Sequence, residues 1–140
     1  MTTCAKVFSD LLDEKEIKYR VVNSNRIIIG ICGDDLPNQD ITFIFNDEDT
    51  DVGIRAFSIV KVPESKKLQA IASCEALNMA VRFIKFCIDQ DNDLNAEIDA
   101  IIEPYTAGKI CFNHLVRLTE VLKRVYPIIM NAIWKESSQS

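Results

Sequence analysis

Residues 94–103, with the sequence LNAEIDAIIE, decide the fold of this chain because apolar and polar side chains alternate along them. Every even-numbered position in this stretch is apolar, whereas four of the five odd-numbered positions carry Asn, Asp or Glu. A period of two residues predicts a β-strand with one face against a core and the other face in water. Such a strand is typical of an antiparallel sheet that is covered on one side.

The segments on either side of this strand switch between the helical and the strand period. The order along the chain is helix, strands, helix, hairpin and helix, at residues 3–15, 19–62, 64–78, 81–103 and 108–134. This order predicts the α+β class, with helices packed on one antiparallel sheet.

Turn residues divide the longer strand region. Asn23-Ser24-Asn25 tolerates positive φ, a loop with Gly and Pro spans 33–38, and an acidic turn spans 47–51. We therefore expect four strands between residues 19 and 62.

The composition is that of an ordinary globular domain. The chain has 140 residues, of which 48% are hydrophobic and 26% charged, so residues 1–135 are predicted to form a single domain with a frayed tail at 136–140. The net charge of −5 disfavours nucleic acid as a partner, because an acidic surface repels phosphates. The sequence shows neither a signal peptide nor an apolar run of about 20 residues, so we expect a cytoplasmic protein without a membrane partner.

The five cysteines are scattered and none forms a C-x-x-C pair, which is typical of reduced, mostly buried thiols. A catalytic thiol would need a histidine base, and His114 is the only histidine in the chain. His114 lies beside the apolar seam of the last helix, and we interpret it as a boundary residue. The thiols therefore predict no enzymatic activity.

Two acidic turns match a metal-binding loop only in part. Asp89, Asp91 and Asp93 occupy the first, third and fifth positions of a calcium loop. The sixth and twelfth positions are Leu94 and Ala100, where such a loop needs glycine and glutamate. The acidic turn at 47–51 also lacks the glycine and the glutamate that such a loop needs. Both are predicted to be solvated turns, and we expect no metal and no cofactor.

One alternative stays open at this point. Glu97 and Asp99 share a strand face, so the carboxylates from Asp89 to Asp99 could serve a small metal-dependent enzyme or a metal-binding domain. Acid–base catalysis would need one of the carboxylates to be desolvated, and the alternation places both in water. A non-enzymatic protein is the preferred interpretation.

Several strands are apolar on both faces, which is more apolar surface than three helices are expected to cover. The end of the last helix is apolar nearly all round as well. We therefore predict a protein-binding or chaperone-like module that forms a homodimer. Its hypothetical partner surface comprises Phe57, Ile59, Ile128, Ile129, Ile133 and Trp134.

The chain resembles the YbjN family from about residue 5 to residue 134. The similarity rests on the strand pair from Tyr19 to Gly30, the Val60-Lys61-Val62-Pro63-Glu64 helix entry, the Leu77-Asn78 pair, the hairpin around Asp89–Asp93, and Tyr126-Pro127. At Met79-Ala80-Val81-Arg82 the chain departs from the proline or glycine that members often have before the strand.

This resemblance implies an α-βββ-α-ββ-α domain with the fold of the type III secretion chaperones. It also implies the absence of enzymatic activity and a homodimer that holds an extended segment of another protein. The family is described as sensory-transduction regulators, and it offers no catalytic motif that could be transferred to residues of this chain.

Overall fold

The structure, a computed structural model, describes residues 1–135. The predicted tail at 136–140 lies outside the described residues. The helices are α1 (Thr3–Glu14), α2 (Lys67–Ala80, preceded by a 3₁₀ turn at Glu64–Lys66) and α3 (Ala107–Trp134). The strands are β1 (Arg20–Val22), β2 (Arg26–Gly33), β3 (Leu36–Phe45), β4 (Asp51–Lys61), β5 (Lys85–Ile88) and β6 (Asp93–Ile101).

The six strands form one antiparallel sheet in the order β1-β2-β3-β4-β6-β5. The predicted α+β class and element order are confirmed. Four strands precede α2, as the turn residues indicate, whereas the family resemblance implies three.

The helices cover one face of this sheet. The seam of α3 that includes Leu118, Leu122 and Ile129 is fully buried, and α3 lies against α1, α2, β2 and β3. From α1, Phe8 packs against Phe43 with ring centroids 4.6 Å apart. The alternation in β6 agrees with this arrangement, because its apolar even-numbered side chains face the helices.

A β-bulge interrupts the alternation of β4. The pairing of β4 with β6 shifts register between Ala56 and Val60, and Ser58 has a φ of 53°. The Ser58 N–H donates to Oδ1 of the buried Asn95 at 2.7 Å. Because the three residues of β4 from Phe57 to Ile59 lie opposite the single residue Asn95, Phe57 turns outward while Ile59 and Val60 both point into the core.

The acidic turn between β3 and β4 is more than a solvated turn. Asp49, at a φ of 60°, accepts hydrogen bonds from the backbone N–H groups of Thr3 (3.2 Å) and Cys4 (2.9 Å). These are unpaired donors of the first turn of α1, which Thr2 caps from its own side through the Ala5 N–H. The turn therefore fixes the position of α1 over the sheet.

Candidate protein-interaction surface

Helix α2 carries apolar side chains on the side that faces away from the sheet. Its buried side consists of Ala70, Cys74 and Leu77. On the opposite side Leu68 is 80% exposed and Met79 is 85% exposed, and Ile71 at the margin is 45% exposed. The exposed residues Ala72, Glu75 and Ala76 lie between them. We call this set, Leu68, Ile71, Ala72, Glu75, Ala76 and Met79, the α2 stripe.

The α2 stripe follows from helical geometry. Residues 68, 72, 75 and 79 are spaced by three and four, so they lie along one line of the helix. Two large apolar side chains on one line, Leu68 and Met79, that are this exposed are unusual for a helix whose other side already fills a core. The stripe is therefore the strongest candidate for an interface.

Strand β5, which lies beside α2 at the end of the sheet, has a protected outer edge. The Asn78 amide accepts a hydrogen bond from the Phe86 N–H (2.6 Å) and donates one to the Phe86 carbonyl (2.9 Å). Helix α2 continues past Asn78 to Ala80, so this side chain does not cap the helix but replaces a neighbouring strand. Unpaired edges invite strand addition, so Asn78 blocks this mode of binding at Phe86.

A groove of about 510 Å³ separates α2 from this edge. Ile71 and Met79 of the α2 stripe form part of its lining, together with Phe86, Cys87 and Ile88. The apolar surface thus continues from the helix onto the end of the sheet. A partner that packs on α2 would also reach this groove.

The outer face of the sheet is not covered by any helix among residues 1–135. Cross-strand pairing places Arg20, Ile28, Thr42, Arg55, Glu97 and Lys85 in one row across this face. Arg55 donates to Asp99 at 2.8 Å and to the Ile98 carbonyl at 3.0 Å. This face is therefore a mixed surface of ion pairs and half-buried isoleucines, more polar than the surplus of apolar residues predicts.

The structure divides the six residues that sequence patterns assign to a partner surface. Phe57, Ile128 and Trp134 are 46%, 57% and 46% exposed, so they are available to a partner. The prediction that Ile59, Ile129 and Ile133 belong to an exposed partner surface is wrong. Ile59 is buried because of the β4 bulge, and Ile129 and Ile133 are buried because they continue the seam of α3.

The α2 stripe itself was missed by sequence reasoning. The sequence pattern predicts Leu68, Ile71, Ala72 and Leu77 near one face of the helix, although only Leu77 is buried. The signal was present in the composition of α2, because apolar residues occur all round this helix and not on one side. A helix of this kind presents apolar side chains on more than one side.

The carboxylates from Asp89 to Asp99 have roles within the fold. Asp89 accepts hydrogen bonds from the backbone N–H groups of Asp91 (2.9 Å) and Asp93 (3.0 Å) and from the Asn95 amide (2.9 Å). The Asn95 amide and these N–H groups lower the pKa of Asp89. Asp99 pairs with Arg55. Among residues 1–135 no three acidic, Cys or His side chains are grouped as metal ligands would be.

The buried thiols are poor nucleophiles. Burial raises the pKa of Cys74 to about 11 and that of Cys111 to about 12. A thiol is reactive as its thiolate, so both groups stay protonated and inert at neutral pH. All five cysteines lie in the described part of the chain, and none is in a disulfide. Within that part no helix is long and apolar enough to cross a membrane.

The architecture is that of a small α+β domain in which three helices cover one face of an antiparallel sheet and leave the other face open. The family profile described as "Putative bacterial sensory transduction regulator" matches residues 5–109 of the 140. The chain therefore belongs to the YbjN family, as the sequence resemblance indicates. Most of α3 lies beyond the matched segment.

Comparison with solved structures confirms the fold. The crystal structure of YbjN from E. coli, titled "a putative transcription regulator", is 14% identical in sequence with a TM-score of 0.62. The match covers 88% of this chain and 91% of the other. The ExsC–ExsE complex is 12% identical with a TM-score of 0.49, over 86% of this chain and 90% of the other. No curated protein matches the chain.

Proposed function

We propose that this protein is a non-catalytic regulatory module that works by binding proteins, and that it forms a homodimer through the α2 stripe. The observation that carries the proposal is the line of exposed apolar side chains on α2, whose other side already belongs to the core. Membership of the YbjN family, with its description as a sensory-transduction regulator, supports the regulatory role. Five free thiols support a place in the cytoplasm.

The α2 stripe is suited to a second copy of itself. Leu68 lies near one end, Met79 near the other, and the small residues Ala72 and Ala76 lie between them. In an antiparallel pair of α2 helices related by a two-fold axis, Leu68 meets Met79 of the second copy on both sides of the axis. Ala72 and Ala76 near the axis are small enough for a close approach of the two helices, whereas Glu75 brings one negative charge from each copy towards the axis.

The energies are of the right order for such a pair. Burying a Leu, Ile or Met side chain fully contributes about 1.5–3 kcal/mol, and a symmetric dimer buries each such residue twice. Association costs about 4–15 kcal/mol in lost freedom. The gain and the cost are therefore of the same order, and the contacts in the groove beside β5 decide how tight the dimer is.

We expect helix packing, and not strand pairing, to form the interface. Asn78 already occupies the backbone groups of Phe86, so the dimer does not form by pairing β5 with a second β5 at that point. Phe57, Ile128 and Trp134 lie elsewhere on the molecule and remain available to a different protein. We propose that exposed apolar residues of this kind take part in the chaperone-like binding of an extended segment of another protein.

Single charged substitutions in the α2 stripe test the proposal. Leu68→Asp and Met79→Asp should each convert a dimer into a monomer, measured as molar mass by light scattering after gel filtration. Both residues are largely exposed, so circular dichroism should show an unchanged fold. Ile101→Asp is the matched control, because Ile101 is equally exposed at 85% but lies at the end of β6. Variants that keep the mass of the unmodified dimer would refute the interface.

A further inference from the structure

A basic groove of about 1040 Å³ lies between α3 and the segment that follows α2. Residues 80–83 form one wall, and the side of α3 from Ile110 to Arg124 forms the other. We call it the arginine groove, after Arg82, Arg117 and Arg124. It belongs neither to the α2 stripe nor to the outer face of the sheet.

The three arginines lack acidic partners within the fold. Arg82, Arg117 and Arg124 are exposed, and none of them forms an ion pair with the residues that the structure describes. Glu120 is the only acidic residue in the lining. A chain with a net charge of −5 thus concentrates positive charge at one place. Clustered guanidinium groups are suited to binding carboxylates.

An exposed aromatic ring lies among these charges. Phe83 is 64% exposed and has a φ of 72°, a conformation that bulky residues rarely adopt. The guanidinium carbon of Arg117 lies 5.1 Å from the centre of its ring, and the His114 ring meets it edge-on at 6.0 Å. Backbone strain of this kind persists where surrounding contacts hold it and is frequent at functional sites. Phe83 is therefore held over the groove and not folded into the core.

His114 adds an unsatisfied polar atom to the same lining. Its Nδ1 is buried and has no hydrogen-bond partner among the described residues. Burial, and then the neighbouring Arg117, lower the pKa of His114, so the ring is neutral at neutral pH. Buried polar atoms are nearly always paired in folded proteins. The fold thus leaves one polar atom of the α3 wall without a partner.

The dimensions favour an elongated ligand. The α3 wall from Ile110 to Arg124 spans about 21 Å at the rise of an α-helix, and Arg117 and Arg124 are about 10 Å apart along it. An elongated ligand can follow this wall from one arginine to the next. Val116, which is 40% exposed, and Phe83 offer apolar contacts near the charges. The groove thus matches a helical segment that carries acidic and apolar side chains on one face.

We propose that the arginine groove binds an acidic, amphipathic segment of another protein. Its carboxylates pair with Arg82, Arg117 and Arg124, and its apolar side chains pack on Phe83 and Val116. The inference rests on the proposed protein-binding role but not on the α2 dimer, because the groove and the α2 stripe use different side chains.

Fluorescence polarisation with a labelled synthetic peptide tests this proposal. The probe is a peptide of about 14 residues, the length of the α3 wall, with glutamates seven positions apart and leucines between them. The double variant Arg117→Glu with Arg124→Glu should weaken binding roughly tenfold or more. The matched control, Arg20→Glu with Arg26→Glu on the sheet, makes the same change of charge and should stay within about twofold. If circular dichroism shows the first variant unfolded, Arg82→Glu, outside the helices, replaces it.

Four outcomes would overturn the proposal. They are failure of the acidic peptide to bind the unmodified protein at millimolar concentration, equal binding of a peptide with lysine in place of glutamate, equal loss in the two double variants, and full displacement of the peptide by millimolar inorganic phosphate. The last result would assign the groove to a small anion. Peptide binding that survives in Leu68→Asp supports the inference, even if the α2 dimer itself is disproved.

Discussion

At the scale of single residues, Asn95 determines which side chains β4 shows to the outside. Its amide accepts from the Ser58 N–H in the bulge and donates to Asp89 in the next turn. The side chain is 5% exposed, so neither bond is open to replacement by bulk water. The outward position of Phe57 depends on this one polar side chain.

Replacing Asn95 by Ala should lower the free energy of unfolding by about 1–3 kcal/mol, because the Ser58 N–H loses its acceptor inside the fold. Urea denaturation followed by circular dichroism gives this value. Asn38→Ala serves as a control, since Asn38 is exposed. A loss for Asn95→Ala no larger than that for the control would show that the bulge does not depend on the amide.

Residue patterns predicted β6 well and β4 less well, and the bulge is the reason. The alternation of residues 94–102 is not interrupted, so the side that faces the core follows from the sequence. In β4 the same alternation predicts Phe57 and Ile59 on one face, and the two residues added at the bulge separate them. The hydrogen bond that stabilises the bulge is accepted by Asn95, which lies 37 positions away in the chain. No local sequence pattern can therefore predict the bulge.

At the scale of elements, α1 is held by a residue that is distant in the chain. The N–H of Cys4, and then the Cys4 thiol and the N–H of Thr3, lower the pKa of Asp49 in the folded protein. The contribution of the Asp49 carboxylate to stability is therefore complete above the ordinary pKa of 3.8 and is lost as the pH falls through the lower pKa of the folded state.

Substituting Asp49 by Asn should reduce thermal stability at neutral pH and flatten its decline on the acid side of the ordinary pKa. Melting temperatures measured from neutral to strongly acidic pH check this prediction. Asp35→Asn, in an exposed turn, is the control and should keep the acid dependence of the unmodified chain. Parallel curves for Asp49→Asn and the unmodified chain would contradict the capping role.

Helix α3 gives a second test at this scale, because two adjacent isoleucines have opposite environments. Ile129 is fully buried, whereas Ile128 is 57% exposed. Ile129→Ala should cost about 2–5 kcal/mol of unfolding free energy. Ile128→Ala should change it by less than about 0.5 kcal/mol. Chemical denaturation of both variants measures the difference, and equal losses would show that the helix is rotated relative to this description.

The helices also show where a sequence pattern loses its power. The seam of α3 has a clear period, and its members, spaced by three and four residues, are all buried: Leu115, Leu118, Leu122, Val125 and Ile129. In α2 apolar residues surround the helix, so the period could not distinguish the side that faces the sheet from the side that carries Leu68 and Met79. The choice between them is made by the tertiary structure, through Cys74, Leu77 and the hydrogen bonds of Asn78 to β5.

At the scale of the whole molecule, the two proposed surfaces have different character and separate roles. The α2 stripe is mainly apolar and complementary to itself, which is expected of an interface between identical copies. The arginine groove is charged and lacks acidic partners in the described fold, which is expected of a site for a different protein. A dimer would therefore present two arginine grooves to its partners.

Sedimentation equilibrium of the unmodified chain over a range of concentrations tests the central claim most directly. The chain has a mass of 15.9 kDa. If two copies associate through the α2 stripe, the mass should approach twice that value as the concentration rises and should not increase further, because a two-fold pair of stripes is closed. A mass that stays at 15.9 kDa across the whole range would contradict the account.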